Sequence, residues 1–254
     1  MTFEVGADAY QRFMGRYADE LARELLDELR PHPPERALDV GAGTGALTAQ
    51  LVDLLGPDAV AAIDPSTAFI AALRERLPGV DAREGSAEAL PYPDATFDLV
   101  LAQLVVHFMS DPVRGVAEMA RVATPGGTVA ASTWDFAGGR APLSLFWRVA
   151  RELDPDVHDE SDEAGARAGD LERIFREAGL RDVRAGELTV RLPYRDADDW
   201  WQPYTLGVGP AGAYVAGLDA ARRDELRRRC AAELGDGPGV IEATAWVAVA
   251  EKSA

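Results

Sequence analysis

The stretch Ala37-Leu38-Asp39-Val40-Gly41-Ala42-Gly43-Thr44-Gly45 decides how the rest of the chain is read. It opens as a short, mostly apolar extended run, and its glycines end that run. A chain leaving a strand through a tight turn needs glycine, because the backbone enters conformations closed to side chains and a ligand has to lie against it. Leu47, Leu51, Val52 and Leu55 follow at helical spacing, so the segment reads strand, tight turn, helix. Gly41, Gly43 and Ala46, with Asp64 about twenty residues on, also satisfy the dinucleotide fingerprint. The turn alone therefore suits two cofactors, and Asp39 separates them. A carboxylate inside the first strand would repel a pyrophosphate, whereas it would hold the ammonium of a methionine moiety; without a cationic partner its burial is costly. Asp64 ends the second strand, where a carboxylate accepts hydrogen bonds from ribose hydroxyls; a helix N-cap before Pro65 is its alternative role.

Outward from the turn the pattern repeats. Upstream, Leu21, Leu25, Leu26 and Leu29 form one stripe of an amphipathic helix over about Arg16 to Arg30, stopped by Pro31, Pro33 and Pro34. Downstream come a strand from Val60 to Ile63, a helix stripe of Phe69, Ile70, Leu73 and Leu77, a short strand from Val80 to Arg83 and a buried strand from Phe97 to Ala102. A helix begins at Asp111-Pro112, and Thr128 to Trp134 form a strand after the Pro125-Gly126-Gly127 turn. This alternation implies an α/β fold with a mostly parallel sheet and helices on both faces. Beyond Trp134 the regularity weakens. Residues 154–170, rich in Asp, Glu, Gly and Ala, read as a mobile surface connection or a loop ordered on binding. A helix on Leu171, Ile174, Phe175 and Ala178 and a strand from Val183 to Leu192 follow, and Ile241 to Ala250 read as the last strand. The expected division is an N-terminal helical lid (1–34), a cofactor-binding domain (35–193 and 239–254) and a helical cap inserted over the acceptor site (194–238).

Of the 254 residues, 26 are Lys or Arg and 43 are Asp or Glu, and the formal charge of -17 repels phosphate backbones and anionic lipid headgroups. Nucleic-acid and membrane partners are disfavoured accordingly. The arginines at 222, 223, 227, 228 and 229 are interleaved with Asp224 and Glu225 at helical spacing, as on a solvated helix face. Cys230, the single cysteine, suits packing; no Cys/His cluster offers a metal site, and no stretch approaches the ~20 apolar residues of a membrane span. A cytoplasmic protein is expected, of oligomeric state that the sequence does not indicate.

The sequence resembles the class I S-adenosylmethionine-dependent methyltransferases, especially the ubiquinone/menaquinone-biosynthesis-like group. The resemblance rests on Leu38 to Gly45, Ala62-Ile63-Asp64, Gly85-Ser86-Ala87-Glu88-Ala89-Leu90-Pro91, Phe97-Asp98 and Pro125-Gly126-Gly127, in order and at compatible spacing. It implies a Rossmann-like seven-stranded sheet with an antiparallel last strand. It also implies that Gly41 and Gly43 line the methionine part of the cofactor, Asp64 the ribose, and Ser86 and Ala87 the adenine edge. Many relatives carry Asp where this chain has Ser86. Gln103 matches a position facing the methionine portion. The segment Tyr10 to Tyr17 is similar to one that folds over the cofactor in part of the group, with Tyr10 and Arg16 as contacts.

Methyl transfer is an in-line displacement in which charge is dispersed, so alignment and exclusion of water dominate. A small-molecule acceptor, quinone-like or another secondary metabolite, would occupy a dry pocket, and Trp134, Trp147, Trp200, Trp201 and Tyr204 are the aromatic candidates to line it. His107, just after the fourth strand, is the candidate base for a protic acceptor. Two other readings compete: a protein that binds S-adenosylmethionine without methylating or that catalyses a cyclisation, and an NAD-dependent oxidoreductase.

Overall fold

The computed structural model describes residue 9, residues 11–33 and residues 35–253. Tyr10 lies outside the described residues. A π-helical turn, Gln11–Gly15, leads into α1 (Arg16–Leu29). Then come β1 (Ala37–Val40), α2 (Ala46–Leu55), β2 (Val60–Asp64), α3 (Thr67–Arg76), β3 (Asp81–Glu84), β4 (Phe97–Gln103), α4 (Pro112–Val122) and β5 (Ala123–Trp134). The chain continues through α5 (Ser144–Leu153), α6 (Asp170–Glu177), β6 (Arg184–Tyr194), α7 (Ala197–Trp201), α8 (Gly209–Gly217), α9 (Ala220–Leu234) and β7 (Gly239–Glu251).

The seven strands lie in the order β3-β2-β1-β4-β5-β7-β6, and β7 runs antiparallel to both of its neighbours. The sheet is thus Rossmann-like, parallel but for the last strand, as the alternating pattern implies. Strand residues alternate between its faces with a period of two. Leu99 and Leu101 of β4 join Leu21 and Leu25 of α1 and Leu47 and Leu51 of α2 on one side. Val100 and Ala102 join Val116 and Met119 of α4 and Ile174 and Phe175 of α6 on the other. Leu21, Ala22 and Leu25 are fully buried, so α1 is part of the core and not only a cover.

A third cluster stands apart from the sheet. Phe146 and Trp147 of α5 pack with Trp200, Trp201, Tyr204, Leu226 and Cys230 of the helices between β6 and β7, and Phe13 of the N-terminal turn joins them. The arginine-rich α9 is tied down by acids: Arg227 pairs with Asp198, and Arg229 with Glu225. The stretch 154–170 departs from the expectation of a mobile connection. Glu160 and Ala166 are buried, the Ala137 N–H donates to the Ala166 carbonyl at 3.2 Å, and Gly165 approaches β5 and α6 so closely that a Cβ there would meet Thr133 and Leu171 at 3.0 Å. Composition alone hides this, because a few small or inward residues suffice to seat an otherwise acidic segment.

Candidate active site

In an open α/β sheet the order reverses between β1 and β4, and ligands bind beyond the carboxyl ends of the strands at such a switch point. There the chain leaves β1 through Gly41, Gly43 and Gly45, all at positive φ (72°, 54° and 87°). Gly41 has no room for a side chain: a Cβ would meet the Val105 side chain at 2.3 Å. Gly43 differs, because its Cβ would meet nothing within 4 Å among the described residues. The free backbone N–H groups of the α2 N-terminus begin at this turn, a favourable place for a carboxylate.

A cleft opens here, lined by Ala18, Asp39, Gly41 to Thr44, Gln103 and Leu104 among others. Asp39, only 2% exposed, accepts a 2.6 Å hydrogen bond from Thr48 Oγ1 and has no cationic partner among the described residues. Burial raises its carboxyl to about 7, and Asp64 adds repulsion. Asp64 accepts hydrogen bonds from Gly43 N–H (2.9 Å) and Ser66 N–H (2.8 Å); burial raises it too. Ser66, not Asp64, caps α3 by accepting from the Phe69 N–H, which leaves Asp64 at the strand end facing the turn. Gln103 donates from Nε2 to the Ala18 carbonyl at 2.9 Å, and its buried Oε1 has no partner among the described residues. The N-terminal turn reaches the same loop: Thr44 Oγ1 donates to Gln11 Oε1 (3.1 Å), and Gln11 Nε2 donates to Asp19 (3.0 Å).

The structure brings Asp39, Gly41, Gly43 and Gln103 together around this cleft, with Asp64 bonded to its rim. Arg16 is placed elsewhere, its guanidinium donating to the Pro193 carbonyl at 2.8 Å. Ala87 is buried below a short turn, and exposed Ser86 donates its hydroxyl to Glu88 while accepting from the Glu88 N–H. Ser86 is therefore already engaged within its own loop.

A second cavity, of about 40 Å³, adjoins the first at Leu104, which lines both. Its walls include Phe13, Met14, Trp134, Phe136, Leu143 and Val208, and its two titratable groups are His107 and Glu160. Leu104 is held at φ +60°, a conformation that costs a leucine roughly 1–2 kcal/mol. Strain of this kind persists where surrounding structure imposes it, here at the wall between two cavities.

Of the aromatic candidates, only Trp134 lines this space. Trp147, Trp200, Trp201 and Tyr204 lie in the third cluster instead of along this cavity. Phe146 stacks on Tyr204 with ring centroids 4.6 Å apart, and Trp200 lies 4.7 Å from Tyr204. Large rings between helices bury most area by packing on one another. The inserted segment instead contributes Val208, Gly209 and Pro210 to the cavity wall. His107 lines it as well, but burial lowers its pKa to about 3, and its Nδ1 has no partner among the described residues. The imidazole is thus neutral and a weak proton acceptor. Glu160 carried no signal in the sequence, lying in the acidic stretch read as solvent-facing. It is 8% exposed and accepts a 2.9 Å hydrogen bond from Trp147 Nε1; burial raises its carboxyl to about 7.

Residues 38–131 match the methyltransferase domain family. An uncharacterized methyltransferase of Mycobacterium bovis is 40% identical over 127 residues, 50% of this chain and 49% of the relative, so the match spans about half of that relative's length. A demethylmenaquinone methyltransferase of Beutenbergia cavernae is 39% identical over 180 residues, 66% of this chain and 74% of the relative. The crystal structure of the YcgJ protein from Bacillus subtilis shares the fold, with TM-score 0.59, 16% identity and coverage of 92% of this chain and 98% of that one. The chain belongs to the class I S-adenosylmethionine-dependent methyltransferases. No helix among the described residues is long and apolar enough to cross a membrane.

Proposed function

We propose that this protein transfers the methyl group of S-adenosylmethionine to a small, largely apolar acceptor seated in the cavity of Phe136 and His107. The observation that carries the reading is the junction of two unlike cavities at Leu104: a polar cleft at the glycine turn, and an apolar chamber beyond it. A methionine ammonium fits the unpaired Asp39 carboxylate, ribose hydroxyls fit Asp64, and the orphaned Gln103 Oε1 awaits a donor. The bound cofactor supplies an electrophilic methyl carbon on a positively charged sulfur. The protein's part is to orient and to exclude water: Leu104 separates the compartments, and the N-terminal turn closes on both through Gln11 on one side and Phe13 and Met14 on the other. A pyrophosphate would meet the Asp39 carboxylate, which weighs against NAD. A quinone-like acceptor agrees with the similarity to the demethylmenaquinone methyltransferase of Beutenbergia cavernae and with the apolar walls. Calorimetry with S-adenosylhomocysteine and with NAD tests the cofactor; binding of NAD alone would overturn the reading. Release of S-adenosylhomocysteine together with a methylated acceptor tests turnover against cyclisation or mere binding.

A further inference from the structure

Two buried polar side chains share the acceptor cavity, and they differ in what they do with a proton. His107 sits between Phe108 and Phe136, with ring centroids at 3.9 Å and 5.6 Å, and stays neutral. Glu160 enters from the loop between α5 and α6. Trp147, on α5, holds one carboxylate oxygen; among the described residues no cation pairs with this group. The titratable groups that act on it are Glu163 of its own segment, which adds repulsion, and Tyr204, which burial keeps neutral; His107 faces the same cavity. An unpaired carboxylate in apolar walls is costly to keep unless a ligand completes it.

We propose that Glu160 is the catalytic base of the acceptor cavity, and that the acceptor it selects carries one weakly acidic hydroxyl, a phenol or an enol, on an otherwise apolar body. This rests on the methyltransferase reading of the site. In the step, an oxygen lone pair forms the new C–O bond to the methyl carbon, the C–S bond pair returns to sulfur, and the O–H bond breaks with its proton passing to the Glu160 carboxylate. One positive sulfonium and one negative carboxylate are consumed, and every product is neutral. In a low-dielectric cavity that cancellation favours the transition state over the charged ground state. An amine enters as an ammonium, which pairs with Glu160 but has no lone pair for the methyl carbon until it loses a proton, and a carboxylate acceptor would enter against Glu160. A carboxyl held near 7 by burial is also matched to proton transfer at neutral pH, which a histidine held near 3 is not.

The test measures binding to the complex with S-adenosylhomocysteine, using p-propylphenol, p-propylbenzylamine, p-propylbenzoate and propylbenzene as probes. Wild type should bind p-propylphenol more tightly than p-propylbenzoate or propylbenzene, and more weakly as pH falls through about 7, where Glu160 takes up its proton; p-propylbenzylamine, bound as an ammonium, should show the same dependence on Glu160. Glu160→Gln keeps the shape and an acceptor for Trp147; it should weaken p-propylphenol about tenfold to a hundredfold and flatten the pH dependence, leaving propylbenzene unchanged. Unchanged affinity for S-adenosylhomocysteine shows that the variant is folded. The proposal is overturned if wild type does not bind p-propylphenol, if Glu160→Gln binds it equally well, or if the benzoate binds more tightly than the phenol. Failure to bind S-adenosylhomocysteine at all would instead overturn the methyltransferase reading beneath it.

Discussion

Asp39→Asn should remove cofactor binding and, in alkaline solution, make the empty protein relatively more stable. In the unfolded chain an Asp titrates near about 3.9. In the folded protein burial raises Asp39 to about 7. Between those values the unfolded chain releases its proton while the folded one keeps it, so stability falls as pH rises, by ~1.4 kcal/mol per pH unit, and then levels off. The charged carboxylate therefore costs the cofactor-free fold roughly 4 kcal/mol above about pH 7. Asparagine has no such titration. Its amide can still accept from Thr48, but its buried NH₂ is left without a partner, at about 1–3 kcal/mol independent of pH.

The change with pH is consequently a firmer expectation than the absolute difference. Urea unfolding of the cofactor-free proteins should show the variant gaining on wild type by about 2–3 kcal/mol between about pH 5 and pH 8. Asp64 and Glu160, also raised by burial, remain in both proteins, so the difference isolates Asp39. Calorimetry should show S-adenosylhomocysteine binding weakened at least about a hundredfold, since its ammonium loses a buried charged partner. Stability curves that stay parallel across this range, or an unchanged affinity, would refute the reasoning.

Gly41→Ala and Gly43→Ala should separate fold from site. The first forces a Cβ to 2.3 Å from Val105 and should cost about 2–3 kcal/mol in unfolding experiments, whereas the second meets no atom of the described residues within 4 Å and should cost about 1 kcal/mol while still weakening cofactor binding. Gln11→Ala cuts the tie between the N-terminal turn and Thr44, and calorimetry should show a severalfold weaker cofactor with unfolding changed by less than about 1 kcal/mol. Tyr204→Ala removes the ring stacked on Phe146 and should destabilise by about 3–5 kcal/mol in urea, a cost that an exposed pocket-lining tyrosine would not carry.

The sheet was legible because it depends on periodicity and on glycine, and both are local. The helix through Leu21 and Leu25, the turn after Val40 and the antiparallel last strand all lie where pattern and resemblance place them. The cleft at the glycine turn was legible for a related reason: Asp39, Asp64 and Gln103 sit in or at the ends of strands, so once the strands are found their carboxyl ends follow. The acceptor side was not. Its walls come from the N-terminal turn, from the residues after β4 and β5, from the loop before α6 and from the insert, and no period links them. Trp200 and Tyr204 looked like pocket residues by size, yet size is also what makes a ring pack on its neighbours. Glu160 looked like solvent-facing charge because every residue in an acidic stretch looks so until one is turned inward.

What unites the two halves is the treatment of charge. Asp39 on one side of Leu104 and Glu160 on the other are both buried, both raised to about 7, and both without a cationic side chain among the described residues. A fold selected only for stability would pair such groups or replace them. Each is costly alone, and each is answered by a ligand of the proposed reaction: Asp39 by an ammonium that remains throughout, Glu160 by a proton that arrives as the sulfonium charge disappears. The neutral His107 fits the same arrangement, because a cation there would stabilise the Glu160 carboxylate and lower its affinity for the proton it is proposed to take. Leu104, at positive φ, lines both cavities, so the two carboxyls face different ones: in the proposed reaction Asp39 stays charged while Glu160 is neutralised.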